Sequence, residues 1–206
     1  MNASADSGLT EGVSTPGREP VASARREQSV PAALRLFASI FQREVDERLL
    51  KEIETRRQEL AGVLGGDPLA GLEPGNPGPA VEVLAVEYCR LFIGPHGHLP
   101  PVESVVCGEE CFWGPSTEKV ADFYRSAAMA PSSDRRELPD HISMELDCLA
   151  LLEETDRHHE ATVFAREHVL RWLPDLAQHV DRRSTVPFYR VWSAGLKMML
   201  AELYGG

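Results

Sequence analysis

The sequence predicts an all-α protein, a multi-helix bundle of two lobes joined by a hinge loop. Three observations predict it. Apolar residues recur at spacings of three and four along most of the chain from Pro31 onward. Clusters of Gly and Pro stand at the ends of these periodic stretches. Strand-like and helix-like stretches do not alternate, and no unit of sequence repeats.

Residues 1–30 are rich in Ser, Gly, Ala and Glu and poor in large apolar side chains, which predicts a disordered tail. Arg25-Arg26 has the outline of an export signal. Glu27 and Gln28 follow it, however, and Pro31 and Arg35 interrupt the apolar stretch beyond, so it reads as tail. Pro31 is placed to start the first helix, which carries Leu34, Phe37, Ala38 and Phe41 on one face. Leu49, Ile53, Leu60 and Val63 extend the pattern through a charged segment that Gly65-Gly66-Asp67-Pro68 ends. A loop leads to Pro79, and Val81, Leu84, Ala85, Tyr88, Leu91 and Phe92 form the next stripe. Gly94-Pro95 stops it, and Pro100-Pro101 keeps the chain extended. Ser104-Val105-Val106-Cys107 is β-like but too short and isolated for a sheet.

Ser116 is placed to cap a helix carrying Val120, Phe123, Tyr124 and Ala127. Ala130-Pro131-Ser132-Ser133-Asp134 is the internal boundary, giving helical lobes over 31–130 and 131–206 within one compact domain overall. A helix over about 139–156 is apolar around much of its circumference and belongs at the centre of the bundle. Val163, Phe164, Leu170 and Leu173 mark another, which Pro174 kinks or restarts. Phe188, Val191, Trp192, Gly195, Leu196, Met199, Leu200 and Leu203 share one face of the last.

Of the 206 residues 43% are hydrophobic, enough for one sizeable core or two small ones closely packed. No apolar run reaches the roughly 18 residues of a membrane span, so none is expected. A net charge of -11 lacks the basic footprint of a nucleic-acid binder. It suits either plain solubility or a basic partner. Cys89, Cys107, Cys111 and Cys148 are scattered and no secretory signal is read, so reduced thiols and a cytoplasmic location are expected.

Chemistry is sparse. Cys107-x-x-x-Cys111 with His96-x-His98 is too loosely spaced for a structural zinc site, and neither a metal nor a cofactor is expected. His158-His159 falls near a helix end, where imidazoles suit the dipole. Glu137-Leu138-Pro139-Asp140-His141 opens the central helix. His141 and Glu145 share a face there, and with Asp140 they could form an acid/base set. Asp140 is also placed to cap that helix. No phosphate loop, nucleophile elbow or dinucleotide fingerprint is present, so capping plus contact with a partner is preferred to catalysis. Tyr88 and Phe92, four apart, meet on one helix face, which becomes a groove for an apolar peptide if incompletely covered. Asp140, Glu145, Glu103, Glu109 and Glu110 would place negative charge beside it, favouring Arg side chains of a ligand.

Three blocks then stand in order: Tyr88-Cys89-Arg90-Leu91-Phe92-Ile93-Gly94-Pro95, Pro100-Pro101-Val102-Glu103-Ser104-Val105 and Leu138-Pro139-Asp140-His141-Ile142. With His168-Val169-Leu170-Arg171-Trp172-Leu173-Pro174-Asp175 and Pro187-Phe188-Tyr189-Arg190, they resemble the TorD/DmsD/NarJ family of chaperones for molybdenum-cofactor oxidoreductases. The resemblance runs from about Ala32 to the C-terminus. It implies an all-helical fold, a cytoplasmic location, and binding of the twin-arginine signal peptide or apo-enzyme until the cofactor is inserted. Carried over residue by residue, it implies contacts from Tyr88, Leu91, Phe92, Pro101, Ser104, Asp140 and His141, with Glu145 beside them. Some members of that family also form domain-swapped homodimers, so the resemblance leaves both a monomer and a dimer swapped at a hinge near Pro131-Ser132-Ser133 open. Val102 and Val106 stand where members often carry aromatics, so peptide contacts from those aromatics are not carried over to this chain and a client other than the best-known reductases is left open. Guanine nucleotides have been attached to the family, but nothing here resembles a phosphate loop. The competing reading is a metal-dependent helical hydrolase using His141 and Glu145.

Overall fold

The computed structural model describes residues 19–73, 75, 77–110, 113–129 and 137–206, with the backbone alone for 19–28. The helices are α1 (Glu19–Gln42), α2 (Glu47–Thr55), α3 (Arg57–Leu64), α4 (Pro77–Tyr88), α5 (Glu103–Val106), α6 (Pro115–Ser126), α7 (Ile142–Glu154), α8 (His158–Glu167), α9 (Val169–Arg183) and α10 (Pro187–Tyr204). A π-helical turn, Cys89–Ile93, continues α4. Among the described residues there is no strand, only an isolated bridge between Val102 and His141.

Several boundaries depart from the sequence reading. The first helix begins at Glu19, inside the expected tail, and Pro31 lies within it. Residues 1–18 and the expected hinge at Pro131-Ser132-Ser133 lie outside the described residues. The charged stretch after Gln42 forms two short helices. Asp46 opens the first by accepting the Leu49 N–H at 2.8 Å, and Gly65, at φ 66°, closes the second. Ser104 to Val106 lies in a helix, not an extended strand. Pro115 rather than Ser116 begins α6. His158 and His159 start α8 instead of ending a helix, and the chain breaks at His168, not at Pro174.

One apolar cluster runs from Leu34 to Tyr204, so the segments on either side of the expected hinge share a core. Helix α1 lies along α7, and α10 packs on α3 and α9. Buried aromatic residues carry a polar tether where they can. Trp192 donates to Pro68 O (3.0 Å), Tyr88 to Phe41 O (3.0 Å) and Tyr189 to Leu84 O (3.3 Å). The α3–α10 crossing needs a glycine. A Cβ on Gly195 would fall 2.4 Å from Leu64 Cδ2 and 3.1 Å from its Cα.

A buried carboxylate holds the turn between α9 and α10. Glu87 is 2% exposed and takes a two-pronged bond from Arg90. It also accepts from Ser184 Oγ, Thr185 N and Oγ1, and Val186 N. Burial alone would raise its pKa. The donors, Arg90 first, overcome that and hold it at about 2.

Two predictions follow from this packing. Gly195→Ala overpacks the α3–α10 crossing and destabilises by about 1–3 kcal/mol, whereas Gly62→Ala, with open space around its Cβ, stabilises α3 by roughly 0.5–1 kcal/mol. Thermal melts of the two variants check this opposition. Because the folded pKa of Glu87 is depressed, its contribution is whole above the ordinary 4.5 and is lost as pH falls through about 2. Glu87→Gln therefore costs about 2 kcal/mol at pH 7, and its difference from wild type in urea midpoint shrinks across that acid window.

Candidate functional site

Two loops far apart in sequence meet beside the start of α7. Pro100 and Pro101 offer no N–H, so the extended chain there can only accept until Val102. The bonds that close the bridge come from its neighbours. Glu103 N–H donates to Asp140 O (2.9 Å), and Ile142 N–H to Pro101 O (2.8 Å). The Asp140 side chain then crosses the bridge, where Oδ2 accepts the Ser104 N–H at 2.9 Å. Asp140 thus caps α5, not its own helix as expected. His141 caps α7, with Nδ1 accepting the Ser143 N–H (3.2 Å) and lying 2.8 Å from Ser143 Oγ. Tyr124 from α6 donates to Pro139 O (2.9 Å), and Thr117 to Ser104 Oγ (3.5 Å).

Behind this bridge three polar side chains lie in the interior: Glu103 on α5, Glu145 on α7 and His168 at the α8–α9 break. His168 Nδ1 is 3.0 Å from Glu103 Oε2, and its ring lies against Phe164 at 4.9 Å. Trp172 Nε1 donates to Glu145 Oε2 at 3.2 Å. Glu145 Oε1 and Asp140 Oδ1 are buried without a hydrogen-bond partner. Burial first, then the charge of Glu103, pushes the Glu145 carboxyl well above the usual carboxylate range.

Pro101, Ser104, Asp140, His141 and Glu145 are therefore brought together, all of them buried. Tyr88, Leu91 and Phe92 are not at an open surface. They are 3%, 0% and 2% exposed, and Phe92 packs edge-on against Tyr88, Phe41 and Tyr189. The groove expected there is corrected to a core seam, because α1 and α10 cover a face whose neighbours local sequence does not reveal. His141 and Glu145 make no open acid/base pair. The imidazole Nδ1 caps a helix, and the carboxyl is buried, bonded to Trp172 and held toward its protonated form. Sequence reasoning missed His168 and Trp172 as partners and took Glu103 for a surface charge. One signal was available: Glu145 sits in a helix apolar nearly all round, where a carboxylate needs a polar partner. His96, His98 and Cys107, weighed as zinc ligands, are exposed, and Cys111 lies outside the described residues. Exposed apolar side chains flank the Pro-rich segment, Ile93 before it (58%) and Trp113 after it (55%).

An all-helical bundle is the architecture this chain shares with a redox-enzyme maturation protein of known structure. The crystal structure of such a protein from Archaeoglobus fulgidus matches 93% of this chain and 99% of its own, with TM-score 0.55 and 26% identity. The model of the nitrate reductase delta subunit family matches residues 36–178, and the chain belongs to that family. This bears out the TorD/DmsD/NarJ resemblance. A Haemophilus influenzae protein named as the Tat proofreading chaperone DmsD is 34% identical over 106 residues, 50% of this chain. That match spans about half, 52%, of the relative's own length. The chaperone protein TorD of Shewanella pealeana is 23% identical over 174 residues, 75% of this chain and 79% of the relative.

Glu145 carries a pH signature opposite to that of Glu87. Its folded pKa lies above the ordinary 4.5, so its contribution is whole below that value and is lost as pH rises through the folded pKa. Glu145→Gln keeps the shape and cannot ionise. Urea titrations from pH 5 to 9 are expected to show the variant gaining on wild type as pH rises.

Proposed function

We propose that this chain is a cytoplasmic chaperone for a molybdenum-cofactor oxidoreductase. It binds the twin-arginine signal peptide or the apo form of its client, aids cofactor insertion and delays export until insertion is complete. The observation that carries this reading is the bridge itself: the Pro-rich and Leu-Pro-Asp-His blocks that mark the family are bonded to each other. The named relatives, a Tat proofreading chaperone and TorD, support it, and binding rather than turnover is the activity.

The peptide surface lies outside the core seam. Tyr88, Leu91 and Phe92 shape it from beneath, while Ile93 and Trp113 offer apolar area in the flanking loops. The exposed Glu110 and the net charge of -11 favour a ligand with paired arginines.

Calorimetric titration of a twin-arginine signal peptide tests this. Saturable binding is expected, weakened about tenfold or more by replacing both peptide arginines with lysine and by Ile93→Ser or Trp113→Ser in the chaperone. Equal affinity for a scrambled peptide of the same composition would overturn the reading.

A further inference from the structure

The interior behind the bridge holds more negative charge than its partners balance. Glu103, Glu145 and Asp140 are 2%, 0% and 0% exposed. Elsewhere this protein meets the same problem with a guanidinium, as Arg90 does for Glu87. Here no Lys or Arg among the described residues bonds to any of the three carboxylates, whose direct partners are the Trp172 indole N–H, the His168 imidazole and backbone N–H of Ser104. Glu145 Oε1 takes no N–H or O–H donor, and the Glu145 carboxyl lies against that of Glu103. Buried carboxylates in this position need a cation or a proton.

We propose that Glu103, Glu145 and His168 form a buried site for one divalent first-row metal cation, held by two carboxylates and an imidazole. One ligand atom from each lies within 4.8 Å of the other two. His168 Nδ1 and Glu103 Oε2 are 3.0 Å apart, the octahedral edge for neighbouring ligands about 2.1 Å from a shared ion. Rotation of the Glu145 carboxyl closes the third side. Two ionised carboxylates with a neutral imidazole match a divalent charge, and this mixture of oxygen and nitrogen suits Mn²⁺, Fe²⁺ or Zn²⁺.

The surroundings fit such a site. Trp172 holds Glu145 by Oε2 and leaves Oε1 free, and Phe164 fixes the imidazole plane, as outer partners of metal ligands do. His168 also lines an open depression of about 720 Å³, beside Lys119, Asp122, Arg166 and Arg171, so of the three residues it stands nearest to solvent. The three ligands come from α5, α7 and the α8–α9 break, so the ion would tie the bridge to the C-terminal helices.

The experiment uses the full chain, stripped with EDTA, dialysed, incubated with MnCl₂ or ZnCl₂ and passed through a desalting column. Retention of about one equivalent by mass spectrometry is expected, with a Tm rise of roughly 5–10 °C at a hundredfold excess over Kd. Glu145→Gln, isosteric with the protonated acid, is expected to cut retention at least about tenfold, and Cys107→Ser to leave it unchanged. Wild-type protein that retains less than about a tenth of an equivalent with an unmoved Tm would overturn the proposal, a proton then sufficing for the cluster. Undiminished retention by Glu145→Gln would overturn it as well, by placing the ion elsewhere.

Discussion

The structure depends on one carboxylate, Asp140, and the bridge it crosses. Helix α5 is four residues long and cannot stand alone, since a single turn fixes more backbone than its hydrogen bonds repay. Asp140 solves this from outside the helix by accepting the Ser104 N–H, while its own carbonyl accepts the Glu103 N–H. The same residue sits one position before the cap of α7, so both helices take their direction from one turn. Tyr124 binds the preceding carbonyl of Pro139 and brings α6 into the arrangement. Glu103 and Glu145 are set facing each other because α5 and α7 both start at this point.

Two buried glutamates show how the surroundings choose a charge state. Glu87 is encircled by donors, with a guanidinium among them, and ionises more readily than a free carboxyl. Glu145 has one indole donor, an idle oxygen and another carboxylate close by, and ionises less readily. Both are glutamates with almost no exposed surface. Glu145 lies deeper, which is the first cause of its raised pKa, and its strong neighbour is Glu103 where Glu87 has Arg90. The first arrangement locks a turn, and the second stores an unmet demand for positive charge behind the bridge.

Much of the fold was legible because helical periodicity is a local property. Leu34, Phe37 and Phe41 on one face, the stop at Gly65 and the long stripe of α10 all read directly. What failed was pairing at long range. Asp140 looks like the cap of the helix it precedes, because only the fold brings Ser104, 36 residues away, within reach. Ser104 to Val106 carries β-branched residues that favour a strand in isolation, yet the bridge and cap wind it into a turn of helix. Tyr88 and Phe92 do share a face, as their spacing requires. Whether that face is open depends on Phe41 and Tyr189, which the spacing does not report. The Pro-rich and Leu-Pro-Asp-His blocks stood out locally for the same reason, while His168 and Trp172 were invisible as partners of Glu103 and Glu145.

Sealing the aromatic seam changes what the bridge can do for a partner. A groove lined by Tyr88 and Phe92 would have to open, exposing rings now packed at 5.0–6.1 Å against one another and against Phe41 and Tyr189. Such opening would break the core that joins α1, α4 and α10. Recognition at the rim avoids that cost. There the π-helical turn ends in an exposed Ile93, Pro100 and Pro101 hold the next segment extended without ladder donors, and Trp113 stands free at φ 70°. Backbone rigidity at the prolines lowers the entropy lost when a ligand is ordered against them. A rigid bridge with exposed apolar side chains before and after its Pro-rich arm is therefore a preformed platform at the rim of the bundle.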